Sequence, residues 1–503
     1  MTILSLSTSG MAVLIPMRAS LLTLAILLTP AFAQTAVPST TPSVASPDFG
    51  PVQLTAAEDH QRLLDMLHIN ELRPGVSQNG QSTHPVNWDE SKANPWPNLP
   101  DPLLLNNGNP VKTAKLWWTE RRPQLVEIFD REILGRVPAN VPVVHWEVVS
   151  TTQGADHGIA TITKHLVGHV DNSGYPAITV NIVADLILPA SVHGSIPVVM
   201  ELNGGYPAGY PVPPPRPVVT AAAPRPAAPE IGPPIQQQVL AKGWGFALLY
   251  HGTFQADNGA GLTQGIIGLC NHGQPRKLQD WGVLRAWAWG ASRLMDYLET
   301  DPSVDAHHVA IEGHSRRGKA ALVAMAYEPR FSVAYISSSG AGGANLARRR
   351  YGEQIENIAG TGEYHWMGGN YLKYAALSPK EVTPADMPVD MHELIALCAP
   401  RPILIDGGTL EGGDGWADTR GTFIAEVAAE PVYRLLGKKP LGNDSGPTDA
   451  FPPVGTPLLA GDLAFVQHSG GHNPQPSFAT FLTFATRYMA PAASAKASSR
   501  KSY

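Results

Sequence analysis

Cysteine is nearly absent: Cys270 and Cys398 are the two in 503 residues, which excludes a disulfide framework and leaves at most one bridge open. Cys398 lies in the apolar run Leu394–Ala399 and reads as a small buried side chain rather than a reactive thiol. Basic residues cluster on no helix or arm, and the formal net charge is −6, so the chain carries no electrostatic footprint for nucleic acid. With 43% hydrophobic and 16% charged residues, the composition excludes disorder as the default. Beyond the first 33 residues no stretch approaches the ~20 apolar residues of a membrane-spanning helix, so the mature chain is not expected to enter a bilayer.

The N-terminus has what the rest lacks. Met17-Arg18, the apolar stretch Leu21–Leu28 and Ala31-Phe32-Ala33 together read as a secretory signal over residues 1–33, with Met1–Pro16 an upstream extension. The mature chain is expected to begin near Gln34 and to be secreted or periplasmic. Residues 34–55, rich in Pro, Ser, Thr and Ala, read as a disordered linker, 56–490 as one folded domain, and 491–503 as a flexible tail. In 207–234 proline recurs too densely for any regular element, which predicts a surface insertion at the rim of the site.

Within the domain, Leu63, Leu64, Leu67 and Leu72 predict a helix over 56–72, and a second helix, with Pro123 as a breaker inside it, is expected over 117–134. Both are expected to be peripheral. Strands begin near Val143. Val180, Ile182, Ala184 and Leu186 alternate with more polar partners, whereas Ile196–Leu202 and Gly245–Tyr250 are continuous apolar runs of the kind buried on both faces of a parallel sheet. Leu284, Trp287, Ala288, Ala291, Leu294, Met295 and Leu298 form one helical stripe in 281–299 and read as core.

The motif that carries chemistry is Gly313-His314-Ser315-Arg316-Arg317-Gly318, set between the apolar run His308–Ile311 and the helix-forming Ala320–Tyr327. A strand, a Gly-x-Ser turn and a helix build a nucleophile elbow of the α/β-hydrolase kind, although the second glycine stands three residues after the serine rather than two. That fold predicts a three-layer sandwich with a mostly parallel central sheet and helices on both faces. Asn203-Gly204-Gly205-Tyr206 follows a strand where such proteins place an oxyanion donor. The chain order Ser, then acid, then His is met downstream. Pro402–Ile405 leads into a Gly-rich loop carrying Asp406, Glu411 and Asp414, and Leu463–Gln467 leads into His468 and His472, of which His472 is the expected base.

Together with the elbow, Ser339-Gly340-Ala341-Gly342-Gly343, Arg349-Arg350-Tyr351-Gly352-Glu353, His365-Trp366 with Asn370-Tyr371, Asp390-Met391-His392-Glu393-Leu394 and Trp416-Ala417-Asp418 resemble the bacterial glucuronoyl esterases, carbohydrate esterase family 15, from about Ala57 to about Tyr488. The resemblance implies a secreted serine esterase, without a metal, that cleaves the ester between 4-O-methyl-glucuronic acid on xylan and a lignin alcohol; a monomer without cofactor is expected. By the same resemblance Ser315 is the nucleophile, His472 the base and Arg316 an oxyanion-stabilising residue, while Lys319, Glu353 and Trp416 hold the sugar. Many members carry the triad acid as a Glu at the position of Ser338; serine cannot serve, and Asp414 matches an acidic position used instead by some bacterial members, with Glu411 the second candidate. Asp418 reads as structural, and Asp406 as too close to the strand end. Two other readings are an acetyl-xylan-type esterase on the same scaffold and a carbohydrate-binding protein with an impaired triad.

Overall fold

In the computed structural model, residues 50–79, 81–207, 210, 232–443 and 445–489 are described. The expected signal, the tail, most of the linker and most of the Pro-rich insertion lie outside the described residues. Among the described residues no helix is long and apolar enough to cross a membrane.

Helix α1 (Ala56–Met66) begins at a reciprocal cap, in which Thr55 Oγ1 accepts from the Glu58 backbone and the Glu58 carboxylate accepts from the Thr55 N–H at 2.7 Å. It stops short of the predicted Leu72. His68 takes a left-handed conformation, and Glu71–Leu72 instead pairs as a short strand with Ala376–Ser378. The helical run 114–133 (α2) passes through Pro123 without breaking. A wider π turn over Trp117–Arg121, closed by the Arg122 N–H on the Trp117 carbonyl, comes immediately before the proline and accommodates its missing donor. Nor are the two helices peripheral: Leu63, Trp117, Leu125, Phe129 and Ile133 have no exposed surface and belong to the main core.

The sheet has nine strands: β1 (Val144–Asp156), β2 (Ile159–Val170), β3 (Asn181–Pro189), β4 (Ile196–Asn203), β5 (Gly245–Tyr250), β6 (Val304–His314), β7 (Val333–Ser337), β8 (Ile403–Gly408) and β9 (Leu463–His468). Across it the order is β9-β8-β7-β6-β4-β5-β3-β2-β1. From β9 to β5 all neighbours are parallel, and β3, β2 and β1 extend the edge antiparallel. The apolar runs are continuous because both faces are covered. Met200, Ile311, Ile336 and Ile405 face a core shared with α3 (Val283–Leu298) and α4 (Arg316–Tyr327), while Val199, Ala310, Tyr335 and Leu404 face α7 (Gln475–Met489) through Phe478 and Phe481. Helices α5 (Met391–Cys398) and α6 (Thr419–Leu435) complete the first face. All seven stripe residues of α3 are buried. Both cysteines are free thiols, and burial pushes the Cys398 thiol up to about 12, as befits a packed side chain.

On the α7 face the apolar pattern fails at the carboxyl ends of the strands. There Glu201, Glu312, His314, Ser337, Asp406 and His468 continue the rows that Val199, Ala310, Tyr335, Leu404 and Val466 begin. Burying this many polar groups is costly unless they pair with one another, and in open α/β sheets this end of the strands is where ligands bind.

Candidate active site

Ser315 stands between β6 and α4 with φ 58° and ψ −129°, a strained conformation for a residue with a Cβ. The glycines on either side explain the spacing of the motif. A Cβ on Gly313 would lie 2.3 Å from the Arg317 carbonyl oxygen, and one on Gly318 would lie 2.9 Å from that of Ser337. The second glycine therefore falls where α4 meets the end of β7, three residues after the serine. The Ser315 N–H donates to the Ser337 carbonyl at 2.9 Å, which leaves the N–H groups of the first turn of α4, beginning with Arg316, facing outward without intrahelical partners.

A cation at a helix N-terminus opposes the helix dipole, and the structure supplies what offsets it. Arg316 Nη1 donates to Asp257 Oδ2 at 2.9 Å, and its guanidinium lies 4.8 Å from the centre of the Trp366 ring. Trp366 Nε1 donates to the other oxygen of Asp257 at 2.7 Å, with His365 Nε2 also 2.9 Å from it. Asp257 was not singled out by the sequence; the neighbouring His365-Trp366 pair was the nearest signal. The expected oxyanion loop is partly committed elsewhere, since the Gly205 N–H donates to Asn203 Oδ1 at 2.7 Å.

His472 Nδ1 lies 2.6 Å from Asp414 Oδ1. Asp414 is buried, and its other oxygen accepts from Ser338 Oγ at 2.5 Å and from the Gly408 N–H at 2.7 Å. Ser338, which cannot be the acid, thus holds Asp414. The other carboxylates of this region stand apart. Glu411 is exposed; Asp406, within β8, accepts from Tyr335 Oη at 2.7 Å; Asp418 caps α6 and pairs with Arg349 at 2.8 Å. His468 is buried and accepts at Nδ1 from the Gly470 N–H.

His314 links serine and histidine. Its ring sits on that of His472, centroids 4.3 Å apart, and its Nδ1 lies 3.0 Å from Ser337 Oγ. Burial, and next the neighbouring His472, holds His314 well below the usual imidazole range, so it is neutral. Beneath it Glu312 and Glu201 stand side by side as register partners on β6 and β4. Burial, then the charge of Glu201, raises Glu312 well above the carboxylate range, and Glu201 accepts from Asn203 Nδ2 at 2.7 Å.

On the other side of Ser315, Lys319 is buried and spends its three donors on the Ser339 and Ala341 carbonyls, both at 2.6 Å, and on Glu353 Oε2 at 2.7 Å. Glu353 Oε1 accepts from Trp416 Nε1 at 3.1 Å. The structure adds a group no motif pointed to. Burial, then the charge of Glu353, pushes the Glu363 carboxyl up to about 7 against the pull of Lys319 and Arg316.

The family model for the fungal glucuronyl esterases matches residues 276–437. The chain is 33% identical over 375 residues to carbohydrate esterase MZ0003 from an unknown prokaryotic organism, covering 70% of this chain and 81% of that protein. It is 26% identical to 4-O-methyl-glucuronoyl methylesterase 1 of Wolfiporia cocos over 349 residues, 67% of this chain and 72% of the relative. A solved CE15 glucuronoyl esterase from Teredinibacter turnerae superposes with a TM-score of 0.76 at 41% identity, covering 87% of this chain and all of that one.

Proposed function

We propose, from the premise that the chain belongs to the glucuronoyl esterases of carbohydrate esterase family 15 and is a carboxylic ester hydrolase, that it cleaves the ester joining 4-O-methyl-glucuronic acid of xylan to a lignin alcohol. In this reading residues 1–33 direct export and 56–490 are the catalytic domain. The observation that carries the mechanism is Asp414, held by two donors on one oxygen and offering the other to His472.

With Nδ1–H held on Asp414, the lone pair of His472 is at Nε2, the atom that takes the proton of Ser315 as Oγ attacks the ester carbonyl. Charge gathers on the carbonyl oxygen. The Arg316 N–H and guanidinium stabilise it, and because Asp257 and Trp366 already orient the guanidinium, little reorganisation is needed as the charge develops. His472 then returns the proton to the departing alkoxide, leaving the uronoyl group esterified to Ser315. Water, deprotonated by the same Nε2, attacks that ester; the proton passes back to Ser315 Oγ and the uronic acid is released. Glu353 and Trp416 hold the sugar's hydroxyls and face, and Lys319 sets the charge and position of Glu353 from behind.

Rates on benzyl glucuronate and on acetylated xylan test the substrate assignment. Turnover of the first and not the second is expected; preferential turnover of the acetyl ester would move the protein to the acetyl-xylan reading. Labelling of Ser315 by a serine-directed phosphonate is expected as well, since a binding protein with an impaired triad would not react.

Glu363 brings a pH dependence with a defined sign. Below pH 7 its carboxyl is protonated and tolerates the carboxylate of the product; as pH rises through about 7 it ionises and repels that product. Glucuronate is expected to inhibit less strongly above this point by roughly 1 kcal/mol, about fivefold. The inhibition constant across pH 5.5–8.5 in wild type and Glu363→Gln checks it. The share of the slope due to Glu363 should vanish in the variant; identical slopes refute the assignment.

A further inference from the structure

Of the eleven tryptophans in the sequence, Trp117, Trp281, Trp287 and Trp366 are fully buried, while Trp118 and Trp88 expose 45% and 36% of their surface. Trp118 lies on α2 with the Arg122 guanidinium 5.7 Å from its ring centre. Trp88 has different surroundings. The edge of its indole rests on Gly415, where a Cβ would come within 3.0 Å of Cζ3, and Tyr351 meets the ring edge-to-face at 5.6 Å. Leu410, 38% exposed, packs against the same glycine. Trp88 and Leu410 therefore pack on the residue that joins Asp414 to Trp416, with Tyr351 against Trp88.

The segment presenting Trp88 is fastened on both sides of it. Asn87 Nδ2 donates to the Arg350 carbonyl at 2.6 Å and to the Asp89 carbonyl at 3.0 Å, while Asn87 Oδ1 accepts from the Asp89 N–H at 2.9 Å. Glu90 receives both terminal nitrogens of Arg349 at 3.0 Å, and the Arg350 N–H donates to the Ala93 carbonyl at 2.7 Å. An indole left in water forfeits the gain of burial, and one held still in water is already prepared for a ligand. A flat apolar face with a polar tip suits a ring that is apolar on its C–H face and polar around its edge.

We propose that Trp88, with Tyr351 and Leu410, forms a stacking platform for an uncharged pyranose of the xylan chain, adjacent to the uronate held at Trp416 and Glu353. The proposal rests on the uronoyl-esterase reading. The platform lies on the acyl side because Gly415 leads directly into Trp416, whose indole is bonded to Glu353. The polar rim beside it, Glu90 with Arg420 at 3.4 Å, matches hydroxyls around a sugar's edge better than the apolar surface of an aromatic alcohol.

The test compares a glucuronate methyl ester carried on a xylo-oligosaccharide with benzyl glucuronate, using wild type, Trp88→Ala, Trp88→Phe and Trp118→Ala. For the oligosaccharide ester, Trp88→Ala is expected to raise KM about tenfold with kcat unchanged, and Trp88→Phe to recover most of the loss. Benzyl glucuronate kinetics should stay the same in Trp88→Ala, and Trp118→Ala should resemble wild type on both. Unchanged KM on the oligosaccharide ester overturns the platform while leaving the esterase reading intact. An equal loss on both esters also overturns it, assigning Trp88 to the leaving alcohol or to the fold. Should wild type hydrolyse neither ester, the esterase reading fails separately. Calorimetric titration with the unesterified xylo-oligosaccharide then decides the platform alone: binding heat in wild type that is lost in Trp88→Ala supports it, and no heat in wild type overturns it.

Discussion

Replacement of Ser315 by alanine is expected to lower kcat on a glucuronate ester by about a millionfold, the scale seen when a serine nucleophile is removed from an intact triad. The variant should fold. Alanine meets the left-handed backbone at this position with the same Cβ that serine carries, so the elbow keeps its shape and loses one oxygen. Lys319, Glu353 and Trp416 bond to one another and to the turn after β7 without involving the serine hydroxyl. Binding of glucuronate measured by calorimetry should therefore stay within about threefold of wild type, an ordinary scatter for a group that makes no ground-state contact. Full activity in Ser315→Ala would end the serine-esterase reading; loss of binding along with activity would mean that the serine supports the sugar site as well.

The second large effect belongs to Asp414→Asn, expected to cost about ten-thousandfold in kcat through the wrong imidazole tautomer. The cause lies on the far side of the carboxylate. The Gly408 N–H can only donate, and it points at Asp414 Oδ2, with the Ser338 hydroxyl on the same atom. An asparagine must place its oxygen there, which turns its NH₂ toward His472. Nδ1 of the imidazole then has to accept, its proton moves to Nε2, and the ring can no longer take a proton from Ser315. Glu411→Gln is expected to change kcat by less than about twofold, as for an exposed side chain outside the proposed triad. The reverse pattern, Glu411→Gln inactive and Asp414→Asn active, would overturn the assignment. Steady-state rates on benzyl glucuronate, with circular dichroism to verify folding, separate the cases.

The sequence was most legible where backbone geometry limits the choice of residue. The elbow, the strand preceding each catalytic loop, and the buried stripe of α3 all follow from spacing, because a tight turn requires glycine and a doubly covered strand requires a continuous apolar run. Helix limits were less legible. Leu72 keeps the helical spacing of α1, yet the left-handed His68 sends the chain into a strand pair with a segment some 300 residues away, a contact that local periodicity does not encode. Pro123 reads as a breaker only until a π turn removes the need for its N–H.

In the site, residues that act through other residues were hidden. Ser338 looks like a defect in the triad when compared position by position, and proves to be a donor to Asp414. Asp257 and Glu363 belong to no motif. Asp257 delivers its charge to Arg316 from 59 residues away in the chain, and Glu363 acts near Glu353 through charge alone.

Three consecutive serines at the end of β7 meet three different parts of the machinery. Ser337 meets His314, on which His472 rests; Ser338 fastens Asp414; and Ser339 accepts the Ala344 N–H through its hydroxyl while its carbonyl receives Lys319. The proposed base, acid and sugar wall thus share a single mechanical support a few residues long. Local opening of a strand end costs less than global unfolding. On warming, fraying at this one point would disable all three parts together while the rest of the sheet was still intact, and inactivation would run ahead of melting.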